Sequence, residues 1–558
     1  MENLNKKVSI IEDEIDRWLS DNLDPSIPRY KYIYHCNLAY IDILIDYKMM
    51  FSQYERHYLF SLNYNTHIAY KKLKEEETFD YKFDQVLYPI AFNMVWLGMY
   101  YSILCDIFPL LHSEDAEMIV KGKNIFFNIK DIPKKHYKFI SDFTMRKLLS
   151  YTLQMANGIY KKRNYDDEDI AMKLADLYMH FFSENMKPDD YEPYTGMDWG
   201  GISFFLIVAA MRRFNKLYES NFDIVTLDSQ KMMILMTPKG LSKMRDFVPS
   251  KNDKLYETAL DDHIYKPIGK GLFPKANIAD APLIKTKDGY VFANALVILF
   301  NDSLETQFLN FIRRCDNARY LRIKDKIKER EIPLIQEMVK YNFANSYSVA
   351  NFNVKIPNRN KEQRECDLLL VDDNGIAVYL EIKHFYNPQS SCETKVLDRE
   401  LRKALKKMPE QLEAISTSWE HLKKQNKIPC DLKELYGVIV SHYYTGFNVD
   451  IKPETPIVSS SNLYESIAES SCLKEVYLGC REYDELYPKI DFIQEEIPVT
   501  YAGYNFHVNQ EALNPICEII VKKSFSKQIH ENLTSSSPMT FRNVKDLAHA
   551  YIDEMKKT

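Results

Sequence analysis

Three charged residues sit at the ends of two apolar runs. Asp367 opens the run 368–371, and Glu381 and Lys383 close the run 376–380. Between the runs lies Asp372-Asp373-Asn374-Gly375, a turn signature that predicts a β-hairpin. Both runs are apolar at every position, the pattern of strands covered on two faces at the centre of a sheet. Side chains alternate along a strand, so Glu381 and Lys383 share a face. The direction of Asp367 depends on the turn. A three-residue loop, Asp373-Asn374-Gly375 with Gly375 left-handed, sets Asp367 directly across from Glu381 on the same face. A two-residue loop, Asn374-Gly375, pairs Asp367 with Ile382 and turns it away. In the first register two carboxylates share a dry spot and repel, which is sustainable with a cation between them or a proton on one. Magnesium suits the place, because it takes carboxylate oxygens and keeps several waters. It would polarise a phosphate oxygen and lower the pKa of a bound water, while Lys383 stabilises the crowded phosphoryl group.

The elements that must hold this hairpin follow a recognisable order. Periodicity predicts a helix over 332–341, strands over 347–356, 366–371 and 376–385, a helix over 396–424 that contains Pro409, and a strand over 435–442. Beyond them lie a strand at 456–459, a helix at 463–470, a hairpin at 497–508 and a helix at 543–556.

Asp367 and Glu381-Ile382-Lys383 in this setting resemble the PD-(D/E)XK, or restriction-endonuclease-like, nuclease superfamily. Cys366 stands where the superfamily often carries the proline. The resemblance covers about a fifth of the chain. It implies an αβββαβ core with a central mixed sheet, and a magnesium or manganese ion at Asp367, Glu381 and Ile382. It also implies an acid on the helix before the first strand, for which Glu331 is the first candidate, ahead of Glu337 and Glu329. Some branches place a Gln on the helix after the Lys. Gln411 stands there, and a solvated helix position is its expected environment. His384, following Lys383, should point to the other side of the strand in a structural role. A second Glu-x-Lys, Glu393-Thr394-Lys395, lies in a polar stretch with no Asp-bearing partner strand and carries no expectation.

The 558 residues predict more than one domain. Residues 1–215 read as a helical domain and 216–330 as a small mixed α/β subdomain with a connecting helix. Residues 331–558 read as the nuclease domain with a C-terminal extension. In the middle segment, 222–227 with 232–236 and 283–286 with 290–292 read as hairpins. Fifteen glycines against 39 tyrosines and 30 phenylalanines indicate large aromatic cores rather than disorder. The long apolar run 86–111 contains Pro89, Asn93, Asp106 and Pro109 and reads as a buried helix, so no membrane partner is expected. Nine cysteines without a Cys-x-x-Cys pair argue against a zinc site or disulfide framework and fit a reducing cytoplasm. No phosphate-binding Gly-Lys-Ser/Thr loop is present, which argues against a built-in ATP motor.

A net charge of −6 means that nucleic-acid contact must come from local basic surface. Candidates are Lys355, Arg359, Lys361 and Arg364 before Asp367, and Arg402 and Lys406 on the following helix, beside Lys395, Arg399, Lys403 and Lys407. The resemblance implies a metal-dependent endonuclease with DNA the favoured substrate. A large helical region on such a core resembles bacterial phage-defence effectors, which implies a homo-oligomer and a protein partner in the defence system. Two alternatives stay open: a catalytically inactive nucleic-acid-binding or assembly module, and an RNA-cleaving enzyme on the same scaffold.

Overall fold

The computed structural model describes residues 2–46, 55–112, 116–129, 153–181, 188–214, 228–356, 363–386, 391–486 and 492–513, apart from short gaps inside these ranges. The chain is a mixed α/β protein, mostly helical, with mixed sheets. It forms two compact units instead of the three segments read from sequence. The first takes the described residues of 1–319 and 492–513, and the second those of 320–491.

In the first unit, α1 (Glu2–Asp21), α2 (Arg29–Asp46), α3 (Glu55–Lys72) and α4 (Leu87–His112) pack together. Helix α4 is long and apolar enough to cross a membrane by length and composition, and 65% of its apolar stretch is buried inside the protein. Polar groups of α3 bond to it: Ser61 Oγ donates to the Val95 carbonyl at 2.6 Å and Asn65 Nδ2 to the Met94 carbonyl at 3.0 Å. Gly98 permits this approach, since a Cβ there would collide with Ser61. The chain continues through α5 (Asp167–Phe181), α6 (Gly196–Phe214), α7 (Pro238–Phe247), α8 (Asp253–His263), α9 (Ala295–Leu299) and α10 (Leu304–Cys315).

Two features of this unit differ from the sequence reading. Residues 116–129, read as part of a helical domain, form a hairpin of β1 (Ala116–Lys121) and β2 (Asn124–Ile129) around Gly122. The hairpin Phe492–Tyr501 and Tyr504–Leu513, read as part of the C-terminal extension, belongs to this unit as well. Its second strand runs parallel to β2 and completes a four-stranded sheet. Hairpin periodicity reports pairing between neighbours in sequence and says nothing of which sheet they join. A small sheet pairs β3 (Met233–Met236) and β4 (Ile284–Lys285) with β5 (Val291–Asn294). The expected partner of β3, 222–227, lies outside the described residues, as do the predicted helix 543–556 and Arg359.

The second unit begins in α11 (Asn317–Asn342). The sequence reading divides this segment near 331; the helix instead passes through Pro333 without ending. Proline removes one hydrogen bond from a helix, but Ile332, Ile335 and Val339 bury against the sheet and hold both halves in line. Strands β6 (Ser346–Lys355), β7 (Gln363–Asp372) and β8 (Ile376–Lys383) are antiparallel, neighbour to neighbour. Helices α12 (Ser391–Thr417) and α13 (Trp419–Asn426) then cross over to β9 (Glu434–Ser441), which runs parallel to β8. The short β10 (Ile457–Ser459) follows, then α14 (Ser460–Glu469) and α15 (Leu473–Leu486). The sheet order is β10-β9-β8-β7-β6.

Both faces of this sheet are covered. Leu397, Leu401, Ala404 and Met408 of α12 pack on one face with Leu369, Val371, Ala377 and Tyr379. Residues of α11, α14 and α15 pack on the other with Leu368, Leu370, Val378 and Leu380. Each fully buried aliphatic side chain contributes about 1.5–3 kcal/mol, so two covered faces tolerate a few buried charges at the strand ends.

Candidate functional site

The turn of the β7–β8 hairpin decides the register. The ladder runs from Val371–Ala377 to Leu368–Leu380 and closes over Asp373-Asn374-Gly375. This is the three-residue loop, with Gly375 at φ +80°. The carboxylate of Asp372 accepts the amides of Asn374 and Ile376, both at 3.0 Å, and thereby stabilises the loop from within.

At the other end of the hairpin the ladder stops at Leu368–Leu380. On β6, the pairs Ala350–Leu368 and Phe352–Cys366 flank Asn351, which is left-handed at φ +49°. Val349 and Phe352, and likewise Cys366 and Leu369, join the same core although their spacing is odd. Both strands therefore switch faces at Asn351 and Asp367. The Asp367 carboxylate lies toward β8, where its Oδ2 accepts the Ile382 N–H at 2.8 Å. Its Oδ1 takes the ammonium of Lys328, on α11, at 2.9 Å.

Glu381 leaves β8 on the α12 side. Its Oε1 meets Lys383 Nζ at 2.5 Å, and its Oε2 accepts the Tyr379 hydroxyl and Gln411 Nε2, the latter at 3.1 Å. Gln411 is only 4% exposed and also donates to the Tyr379 oxygen. This corrects the expected solvated position: α12 turns Gln411 inward, on the side that carries the buried Met408 and Ala414. Burial pushes the Glu381 carboxyl up, but the Lys383 charge and the donated hydrogen bonds outweigh it and leave it below the ordinary carboxylate value. Burial also raises the Tyr379 hydroxyl, as does the neighbouring Glu381 charge, so Tyr379 remains a donor.

Helix α11 brings two lysines to this corner, one turn apart. Burial lowers the Lys328 ammonium, while the charge and hydrogen bond of Asp367, with Glu381 and Glu365, raise it above its ordinary value overall. Lys324 is lowered, by burial first and by the like charges of Lys328 and Lys383. Asp367 and Glu381 thus stand among three ammonium groups, Lys324, Lys328 and Lys383. Lys324 and Lys328 are absent from the sequence-based candidates, although their helical spacing with Glu331 was available as a signal.

Glu331, the first candidate for a helix acid, has its contacts elsewhere. Its Oε1 accepts the Ser460 hydroxyl and the Tyr464 hydroxyl, the latter at 3.3 Å, with His442 Nδ1 at 3.9 Å. Glu329 and Glu337 are exposed. The α11 side chain that meets Asp367 is a lysine. His384 is buried and stacked on His442 with ring centres 4.7 Å apart, away from the contacts of Glu381. Among the basic candidates, Lys355, Arg402 and Lys406 are exposed, and Arg364 pairs with Glu410 at 2.8 Å. On α12, Glu400 pairs with Lys403 at 2.7 Å and with Arg399 at 3.7 Å.

The acidic side chains at this corner are the carboxylates of Asp367 and Glu381. Among the described residues no three His, Cys, Asp or Glu side chains cluster in a way that could hold an ion. Two carboxylates fit magnesium or manganese, which fill most of their coordination with water and substrate oxygens. Ile382 contributes its N–H to Asp367 and has only its carbonyl to offer an ion.

Compared with family models, curated proteins and solved structures, the chain gives no match.

Proposed function

We propose that this protein is a metal-dependent phosphodiesterase of the PD-(D/E)XK kind, an endonuclease with DNA its favoured substrate. The observation that carries the reading is the convergence at one strand end of Asp367, Glu381 and Lys383, joined by Lys328. A magnesium or manganese ion held by Asp367 and Glu381, with the Ile382 carbonyl, would supply Lewis acidity and a water of lowered pKa. Tyr379 and Gln411 fix the Glu381 carboxylate in one orientation. Lys383 stands where it stabilises charge developing on the phosphoryl oxygens. Lys328 and Lys383 offset the two carboxylates, and Lys324 adds a further ammonium for a polyanion to meet. The exposed Lys355, Arg402 and Lys406 offer phosphate contacts along the duplex. A role in bacterial phage defence, as a homo-oligomer with a protein partner, rests on the resemblance alone.

The test is cleavage of plasmid and phage DNA, with an RNA panel alongside, in magnesium and in manganese. Activity in the wild type that disappears in Asp367→Ala and Lys383→Ala supports the reading. Equal activity in those variants removes these residues from the mechanism.

A second reading, a binding module without catalysis, has one observation in its favour: each oxygen of the two carboxylates already accepts a donor from the protein. Calorimetry with manganese separates the two. The enzyme binds the ion with heat that Glu381→Ala abolishes, and the module gives none.

A further inference from the structure

We propose that Lys328 is a resident counter-cation: it neutralises Asp367 until a divalent ion binds, is then released from the carboxylate, and takes a phosphate oxygen of the substrate. This rests on the nuclease reading and assigns a further substrate-binding residue to the same corner.

A carboxylate in a dry setting needs a compensating charge. Asp367 is 7% exposed, and an unpaired charge so buried is strongly disfavoured. One backbone N–H, from Ile382, satisfies Oδ2 and supplies no net charge. The compensating charge on Oδ1 is the Lys328 ammonium at 2.9 Å. Glu381 has its own ammonium in Lys383 at 2.5 Å, so each acid of the corner carries one cation.

A divalent ion bound to Asp367 changes this balance. The ion and the ammonium repel at short range, and both compete for the same oxygen. Lys328 can yield because its side chain is 35% exposed and ends a flexible four-carbon stem. Lys324 lies one turn away on the same helix, and its ammonium is already destabilised by burial and by Lys328 and Lys383. A third anionic group, a phosphate, would relieve that repulsion. The released Lys328 and the neighbouring Lys324 therefore form one cationic edge on which a phosphate oxygen fits. The exchange is a displacement of hydrogen bonds, and no covalent bond is made or broken.

The experiment uses the full chain. Manganese affinity is measured by calorimetry for wild type, Lys328→Met, Lys328→Gln and Lys328→Arg. Removing the competing ammonium should tighten manganese binding by about tenfold in the Met and Gln variants and leave the Arg variant near wild type. In parallel, anisotropy of a labelled DNA duplex is read in calcium and in EDTA. The Met and Gln variants should lose duplex affinity in calcium and match wild type in EDTA. Manganese affinity unchanged or weakened in both variants overturns the proposal while leaving the nuclease reading standing. No manganese binding by any variant, wild type included, removes both. Met and Gln are offered together so that a folding failure in one, seen by circular dichroism, leaves the other to decide the outcome.

Discussion

Asp367 and Asp372 stand five residues apart on β7 and are buried alike, at 7% and 6% exposure, yet they do different work. Asp372 is bonded by amides two and four residues ahead of it, inside its own turn. Asp367 is bonded by an amide from the neighbouring strand, 15 residues on, and by a lysine 39 residues back on α11. The first carboxylate belongs to the local folding of the hairpin. The second is bonded only after a helix and two strands have assembled, and one of its two donors carries a charge. Burial alone therefore does not distinguish the two carboxylates; the origin and charge of their donors do.

The largest expected effect sharpens this contrast. Asp367→Ala and Lys383→Ala should each lower DNA cleavage in magnesium, per folded molecule, by about 10³-fold or more, alongside a loss of thermal stability from the buried partner each leaves unpaired. A comparable loss of cleavage in Asp372→Ala, at equal folding, would break the distinction between the two aspartates.

Next in size is a buried group whose hydrogen-bond partners carry no charge. His263 in the first unit bonds the Ala259 carbonyl at 2.7 Å and Ser203 Oγ at 3.0 Å. Burial pushes its imidazole down from 6.5 to about 4. Its depressed pKa means that its contribution to stability is full above pH 6.5. That contribution is lost as the pH falls toward 4, because the unfolded chain binds the proton first. The loss is up to about 3 kcal/mol, at roughly 1.4 kcal/mol for each unit of pKa. Melting curves between those pH values should show a shallower decline in His263→Gln than in the wild type.

Two substitutions in the turn follow. Gly375→Ala forces a Cβ into the left-handed region at φ +80° and against the Asp431 carbonyl. It should cost about 2 kcal/mol or more in urea unfolding. Asp372→Ala removes the two hydrogen bonds to the turn amides and should cost about 1 kcal/mol, with cleavage per folded molecule unchanged.

Much of the hairpin was legible from the chain alone. The spacing of Asp367, Glu381 and Lys383, the Asp373-Asn374-Gly375 loop and the alternation of side chains led to one of two registers, and the longer loop is the one observed. The ladder nevertheless ends at Leu368–Leu380, and Asp367 accepts the Ile382 N–H instead of pairing with Glu381 as expected. The order α11, β6, β7, β8, α12, β9 also follows the periodicity of 331–442. The environment of Gln411 was not legible, because a glutamine on an amphipathic helix reads as solvated until the helix is rotated onto its sheet. The β1–β2 hairpin was hidden inside a region dominated by helical spacing, although Met118 and Val120 precede a Gly-containing turn.

What the sequence determined by itself is local: turn length, strand alternation and the helix face that must be apolar, all set by covalent geometry and by the need to bury neighbouring side chains. Only the tertiary structure decided that Lys328, and not Glu331, would meet Asp367. The position of α11 along the sheet is set by Ile332, Ile335 and Val339 packing against strands distant in sequence. A shift of one helical turn at that interface exchanges an acid for an ammonium at the site.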